Sequence, residues 1–280
     1  MDRIQKALDK AKQKNAQQQD TPVPVKKSEK VKVADAVIPN PFQQGPENIA
    51  YSQTAVVNVS EPEMEKNRII ANQYNDPNST VFRMLRTQVL KKMRENDWQS
   101  IAITSPTAKE GKSLIASNLA VAIAMELNQT VLLVDMDLRN PSLSKNFNLK
   151  AEQGLKDYLE QDIGLTDILI NPGIKRLVIL PGVGRAEDSA ELLSSPKMAN
   201  LVTNIKEHYD SRLIIFDVPP LLATDDVVLA SNYFDCILMV LEDGHNSEED
   251  IKKSYQLIEG TNLLGTVLNK SENPPTHQSY

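Results

Sequence analysis

Six short apolar runs, separated by longer stretches, constrain the fold of this chain more than any other feature. The runs are SIAIT, TVLLVDMD, RLVILPG, RLIIFDVPP, FDCILMVLE and LLGTVLN, all between residues 100 and 269. Continuous runs of Val, Ile and Leu are typical of strands buried on both faces. The segments between them are mostly long enough for crossover helices. Strands that alternate with helices predict an α/β fold with a mostly parallel sheet flanked by helices.

The chain divides into segments of different composition. Residues 1–14 carry apolar side chains at helical spacing and predict a short amphipathic helix. Residues 15–67 include QQQDTPVPVKK and IPNPFQQGPEN, which are too polar and proline-rich to bury a core, so we predict a flexible linker. We predict a globular domain over residues 68–272 and a flexible tail over residues 273–280.

Charge and composition exclude several classes of protein. The net charge is −6, but residues 1–32 carry +5 and the remainder −11. An acidic main domain argues against broad nucleic-acid binding, so no nucleic-acid partner is expected. No apolar run approaches the ~20 residues that span a bilayer, and the chain does not open with a secretory signal. The single cysteine, Cys236, lies in a strand-like run and excludes an intrachain disulfide. These features predict a cytoplasmic protein.

The segment SPTAKEGKSLIASNL, residues 105–119, has the order of a phosphate-binding loop. Such a loop needs close backbone N–H groups, a helix N-terminus, a lysine for the terminal phosphates and a hydroxyl for Mg²⁺. Here Gly111, Lys112 and Ser113 supply these groups. The first glycine of the usual pattern is replaced by Pro106, which leaves a surface turn as the alternative. The preceding strand and following helix favour the loop. We predict that ATP contacts Thr107, Ala108, Lys109, Glu110, Gly111, Lys112, Ser113 and Leu114.

Two later strands end in carboxylates. VLLVDMDLRNP presents Asp135 and Asp137, which point to the same side because they are two residues apart. RLIIFDVPP ends in Asp217, which can hold a water of the Mg²⁺ shell. Ligands of open α/β sheets bind at the carboxyl ends of strands. We therefore predict an Mg–ATP site in which Ser113 and the three aspartates surround the metal, with capping or turn aspartates as the alternative. Arg139 could neutralise these carboxylates or contact phosphate.

The series of GKS, DMDLR and FDVPP resembles the bacterial tyrosine kinases, the phosphate-loop kinases of capsule and exopolysaccharide production. The likeness includes RMLRTQ in a predicted helix at 80–96, DLRNPSLSKNFNL with GLKDYL, LPG…AELLSSPKM and GTVLNKSE. It covers about residues 79–272. The start, MDRIQKALDKAKQKN, resembles the leader of stand-alone autokinases found beside exopolysaccharide-export genes.

The resemblance implies a P-loop NTPase-type fold and a protein-tyrosine autokinase that uses ATP and Mg²⁺. Lys112, Asp137 and Asp217 would belong to the catalytic site, and Asp135 would help to deprotonate the acceptor tyrosine. Separately, Asn269 follows the last strand-like run and is a candidate contact to the adenine.

The resemblance also implies partners. Arg83 and Arg86 match the last two positions of the family's E-x-x-R-x-x-R helix, which joins subunits in rings, whereas Thr80 replaces the glutamate. Kinases of this family are activated by a membrane polysaccharide co-polymerase, so the resemblance implies such a partner for this chain. We expect a homo-oligomer at the inner face of the cell membrane, associated only through that partner or through residues 1–14. The family phosphorylates a tail cluster of tyrosines, and Tyr280 is the candidate acceptor here.

An ATPase switch of the plasmid-partition or division-site type is the alternative function. The lack of a tyrosine cluster in the tail favours this reading. However, the signature lysine of those ATPases would fall at Thr107. A scaffold that binds ATP without turnover would need a broken site, whereas the lysine, serine and aspartates are all present. His208, His245 and His277 show no metal-ligand spacing.

Overall fold

The computed structural model describes residues 54–73, 76, 78–207 and 212–272. Its strands are β1 (Ala55–Val56), β2 (Ser100–Thr104), β3 (Thr130–Asp135), β4 (Ile170–Asn171), β5 (Leu177–Leu180), β6 (Arg212–Asp217), β7 (Cys236–Glu242) and β8 (Leu263–Asn269). They form one sheet in the order β1-β4-β5-β3-β6-β2-β7-β8. Every neighbouring pair is parallel except β4 and β5. The six apolar runs are all strands, which confirms the predicted α/β fold.

Helices flank the sheet. They are α1 (Glu61–Lys66), α2 (Ser79–Glu95), α3 (Lys112–Ala124), α4 (Leu143–Asn146), α5 (Leu155–Glu160), α6 (Leu165–Ile168), α7 (Ser189–Leu193), α8 (Pro196–Glu207), α9 (Asp226–Leu229) and α10 (Glu248–Leu257). The predicted helix at 80–96 corresponds to α2. Two clusters of buried apolar side chains form the core.

Helix α3 is the helix that positions the site. Its sequence, KSLIASNLAVAIA, has no polar face, and nearly all of its residues are buried. A helix that is apolar on every side is stable only when protein surrounds it. Here α3 contacts α2 on one side and the central strands on the other. The loop that enters α3 is therefore attached to one of the most buried elements of the fold.

The predicted linker ends too late in the chain. Residues 54–67 belong to the folded domain: β1 pairs with β4, and the side chain of Met64 on α1 is 4% exposed within the core. Ser60 and Glu63 form a capping box that starts α1. The boundary at residue 67 is therefore wrong, because a two-residue strand and a six-residue helix have no periodicity to read. The helix predicted for residues 1–14, the linker up to residue 53 and the tail 273–280 lie outside the described residues.

Cys236 is fully buried at the start of β7. Burial, with a smaller contribution from the charge of Asp235, raises the pKa of its thiol to about 12. The residue is thus part of the core, as its strand-like context predicted. Within the described parts of the chain, no helix combines the length and apolar character needed to cross a membrane.

Candidate active site

The loop between β2 and α3 turns sharply before the first residue of the helix. Gly111 has a φ of 99°, in the left-handed region, and an added Cβ would lie 2.2 Å from Nδ2 of Asn269. Only glycine satisfies both conditions. Lys109 also has a positive φ, of 71°. This backbone brings the loop to the N-terminus of α3, where unpaired N–H groups attract anions.

Lys112, the first residue of α3, lies among carboxylates. Its Nζ is 2.8 Å from Oδ2 of Asp137, 3.5 Å from Oδ1 of Asp217 and 3.3 Å from Oγ of Ser113. Burial opposes the charged amine, but Asp217 and Asp137 outweigh it and raise the pKa of Lys112. The structure thus brings together the lysine, the serine and two of the aspartates predicted from separate motifs.

Asp135 and Asp217 lie side by side because β3 and β6 pair in register. Oδ2 of Asp135 accepts hydrogen bonds from the N–H groups of Ser142 and Leu143, both at 2.9 Å. Burial and then the charge of Asp217 raise the pKa of Asp135 to about 7. Burial also raises the pKa of Asp217, although Lys112 and a hydrogen bond with Ser113 act in the other direction. Both aspartates are fully buried.

A cavity of about 440 Å³ opens beside these groups. It is lined by Ala108, Lys109, Gly111, Lys112, Ser113, Leu114, Asp137, Arg139, Asn140, Ser142, Asn146, Pro219, Pro220, Ala223 and Thr224. Most of the predicted contacts to ATP are in this set. Asp135, Asp217, Thr107, Glu110 and Asn269 are not part of the lining. Arg139, which follows Asp137, was predicted. We did not predict the other lining residues that follow Asp137 and Asp217, although their position just after strand ends could have indicated them.

Glu110 and Asn269 support the loop. Oε1 of the buried Glu110 accepts hydrogen bonds from the N–H of Thr107 at 2.8 Å and from Nδ2 of Asn246 at 2.6 Å. Nδ2 of Asn269 donates to the carbonyl of Glu110 at 2.8 Å, and Nζ of Lys270 donates to that of Lys109 at 2.8 Å. The ends of β7 and β8 therefore hold the loop in shape. No sequence signal marked Asn246 for this role.

The two arginines predicted to contact other subunits make contacts within their own chain. Arg86 donates to the carbonyl of Ala122 at 3.2 Å and forms an ion pair with Glu126 at 3.1 Å. Arg83 bonds to the side chains of Ser79 and Thr80. Neither arginine lines the cavity. Tyr280, the candidate acceptor, lies outside the described residues.

The residues at the carboxyl ends of the central strands have the chemistry to bind a nucleotide with Mg²⁺. Oδ1 of Asp135 and Oδ2 of Asp217 are buried and have no hydrogen-bond partner among the described residues. The same part of the chain contains no group of three or more His, Cys, Asp or Glu side chains arranged to hold a metal. Mg²⁺ in nucleotide sites keeps several waters and binds phosphate oxygens with few protein ligands. Ser113 and the aspartates suit that arrangement, and the cavity has the size of a small-molecule site.

Comparison with known proteins identifies a nucleotide-binding family and relatives named as tyrosine-protein kinases. Residues 101–280 match the family described as the CobQ/CobB/MinD/ParA nucleotide binding domain. The tyrosine-protein kinase YwqD of Bacillus subtilis is 32% identical over 208 residues, which cover 74% of this chain and 86% of YwqD.

Solved structures, including that of a tyrosine kinase domain, are also similar to this chain. The chimerical protein CapA2B2 has a TM-score of 0.68 and 32% identity, over 78% of this chain and 94% of that one. The kinase domain of Escherichia coli ETK also has a TM-score of 0.68, with 28% identity over 81% and 93% of the two chains. The septum site-determining protein MinD of Pyrococcus horikoshii, complexed with Mg-ADP, is more distant: its TM-score is 0.53 and its identity 27%, over 63% and 74%.

Proposed function

This chain belongs to the bacterial tyrosine-protein kinases of the CobQ/CobB/MinD/ParA nucleotide-binding family, and on that premise we propose that it is a protein-tyrosine autokinase. It would transfer the γ-phosphate of ATP to a tyrosine hydroxyl and so regulate exopolysaccharide polymerisation or export. The observation that carries the proposal is the position of Lys112, at a helix N-terminus, between two carboxylates and beside a cavity of about 440 Å³.

The side chains of the site would have separate roles in the transfer. Bound Mg–ATP supplies the phosphoryl group and a metal that neutralises its charge. Lys112 would turn from Asp137 towards the terminal phosphates, while Ser113, Asp137 and Asp217 would hold the metal and its water. Because these residues sit on adjoining strands and on a buried helix, the chain positions them before the nucleotide arrives.

Asp135 is our candidate for the base that takes the tyrosine proton. A pKa of about 7 suits a general base, because such a group is both available and basic at neutral pH. Two backbone N–H groups fix one oxygen, Oδ2, and leave Oδ1 to receive the proton. Asp135 is fully buried, so the acceptor hydroxyl would reach it only after the groups that cover it move. Asp137, which lines the cavity, is the alternative base.

The test follows the γ-phosphate. The protein is incubated with Mg²⁺ and γ-labelled ATP, and protein-bound phosphotyrosine is separated from free phosphate. We expect label on tyrosine in the wild type, none in Lys112→Ala, and wild-type label in the exposed control Lys91→Ala. Peptide mapping then tests Tyr280. Wild-type protein that stays unlabelled while releasing phosphate would refute the kinase.

That outcome would favour the second candidate, an ATPase switch. The similarity to a MinD complexed with Mg-ADP supports it, because the same nucleotide site serves both functions. Release of phosphate to water in the absence of labelled tyrosine is its distinguishing signature.

We also propose a membrane polysaccharide co-polymerase as the activating partner, at the inner face of the cell membrane. Family membership supports this partner and a homo-oligomer that uses Arg83 and Arg86. Residues 1–14 would dock on the partner. Deleting them should leave basal labelling unchanged and abolish its stimulation by the partner's cytoplasmic fragment; full stimulation of the deleted chain would exclude this docking role.

A further inference from the structure

Asp226, at the start of α9, is a buried carboxylate that the proposed chemistry does not use. It is 0% exposed. Its Oδ2 accepts a hydrogen bond from Oγ of Ser189 at 2.7 Å and faces Nε of Arg139 at 3.3 Å. Its own N–H donates to Oγ1 of Thr224 at 3.0 Å. Its Oδ1 is buried and finds no hydrogen-bond partner in the described residues. A buried carboxylate in this position requires a cation nearby.

Arg139 connects Asp226 to the cavity. It follows Asp137 by two residues and lines the cavity together with Lys112 and Thr224. Its side chain is 44% exposed, and only Nε meets Asp226. Among the described residues, its two terminal nitrogens have no hydrogen-bond partner. Asp226 therefore holds the guanidinium through Nε, and the two terminal nitrogens remain available as donors to a ligand in the cavity.

This geometry suits the recognition of a phosphate. A guanidinium carries five N–H donors in a fixed fork, so a carboxylate can orient it through Nε while the other nitrogens bind a second anion. Lys112, the proposed contact of the terminal phosphates, lines the same cavity as Arg139. An anion bound by Arg139 would therefore be the last phosphate of the nucleotide.

We propose that Asp226 is a positioning residue that orients Arg139 towards the γ-phosphate, an inference that rests on the proposed binding of Mg–ATP in this cavity. Arg139 is the group that touches the phosphate, and Asp226 acts through it. The competing explanation is purely structural: Asp226 would only join α9 to α7 through Ser189. The two explanations differ in whether the effect of removing the Asp226 charge depends on Arg139.

A double-mutant cycle tests this dependence. The variants are Asp226→Asn, Arg139→Met and the double substitution, and the dissociation constants of Mg–ATP and Mg–ADP are measured by calorimetry. We expect Asp226→Asn to weaken Mg–ATP binding about tenfold, as for the loss of one charge-assisted contact, and to leave Mg–ADP unchanged. In the Arg139→Met background the same change should have no further effect. Equal losses in both backgrounds, equal losses for both nucleotides, or no loss at all would overturn the proposal.

Two further variants complete the experiment, one as a control and one as a replacement. Asp235→Asn is the matched control, because Asp235 is also ion-paired, with Lys206 at 3.0 Å, but it directly precedes β7 and does not line the cavity. It should leave both affinities unchanged. If Asp226→Asn does not fold, Arg139→Lys replaces it: lysine keeps the charge but lacks the fork, so the preference for ATP over ADP should fall about tenfold. A retained preference would overturn the proposal.

The affinities need no acceptor tyrosine. A chain that binds Mg–ATP and releases phosphate but labels no tyrosine would refute the kinase, while the cycle would still decide the role of Asp226. If tyrosine is labelled normally but the effects of the two substitutions are additive, the kinase assignment stands and the role of Asp226 is refuted.

Discussion

Asp135 is a fully buried carboxyl with a pKa of about 7, because burial and the charge of Asp217 both disfavour its ionised form. The folded protein therefore binds this proton more tightly than the unfolded chain does. The neutral carboxyl contributes its full stabilisation at a pH below its ordinary pKa of 3.8, and this contribution is lost as the pH rises from there through about 7. A group suited to accept a proton at neutral pH is thus one that weakens the fold there.

The first prediction concerns the stability of Asp135→Asn. At pH 8 the asparagine avoids a buried charge and should stabilise the nucleotide-free protein by on the order of 2 kcal/mol more than it does at pH 5. Urea unfolding of both proteins at the two pH values measures the difference. The same change in free energy at pH 5 and pH 8 would contradict the raised pKa.

Lys109 stores strain in the phosphate loop. Its φ of 71° lies in the left-handed region, which disfavours residues with a Cβ. Lys109→Gly should therefore stabilise the protein by about 1 kcal/mol, and its carbonyl keeps the bond from Lys270. Lys109→Ala is the control, since it removes the charge and retains the Cβ. If alanine stabilises as much as glycine, the effect comes from charge and not from strain.

At the level of elements, α3 is attached to the segment before α2 by one side chain. Oδ1 of the buried Asn118 accepts hydrogen bonds from the N–H groups of Ile70 and Ala71, at 2.9 and 3.1 Å. Its Nδ2 donates to the carbonyls of Arg68 and Leu114, at 2.9 and 3.0 Å. An irregular stretch of backbone thus satisfies its polar groups on a helix.

Asn118→Ala should consequently destabilise the protein by about 3 kcal/mol or more, because several buried backbone groups lose their partners at once. Thermal unfolding measures the loss. Asn96→Ala is the matched control: that side chain donates to the carbonyl of Lys92 at 2.8 Å but is exposed, so the expected change is within about 0.5 kcal/mol. Similar losses in the two variants would refute the role of Asn118.

The elements also explain what the sequence could predict. Buried strands such as β3 and β6 are continuous apolar runs, and the aspartates that end them fall at one edge by topology alone. β1 and β4 are two-residue strands that form through pairing: β1 pairs with β4, and β4 also pairs with β5. Asn246 meets Glu110 across 136 positions, and Asp226 meets Arg139 across 87. Such partners are chosen by the folded sheet, and nothing in their local sequence distinguishes them.

For the whole molecule, the charge at the site couples nucleotide binding to stability. Lys112 is buried next to Asp137 and Asp217, whose carboxylates compensate the positive charge of its amine. Removing it would leave buried carboxylates without a cation, so Lys112→Ala should be less stable even without nucleotide.

The ligand-induced change is therefore the informative quantity. Mg–ATP at 100 times its dissociation constant should stabilise the wild type by about 2.7 kcal/mol, which is a few degrees of melting temperature for a domain of this size. Lys112→Ala should show almost no change at the same concentration. Scanning calorimetry with and without Mg–ATP compares the two, and equal shifts would exclude Lys112 from the binding site.

The burial of Cys236 has a practical consequence. Thiolates react with maleimides, and a thiol with a pKa of about 12 inside the core offers almost none at neutral pH. The chain contains no other cysteine. A substitution such as Lys91→Cys, on the exposed side of α2, would therefore create the one fast-reacting position for a fluorophore. Energy transfer between two differently labelled copies could then follow assembly in solution without any change to the native thiol.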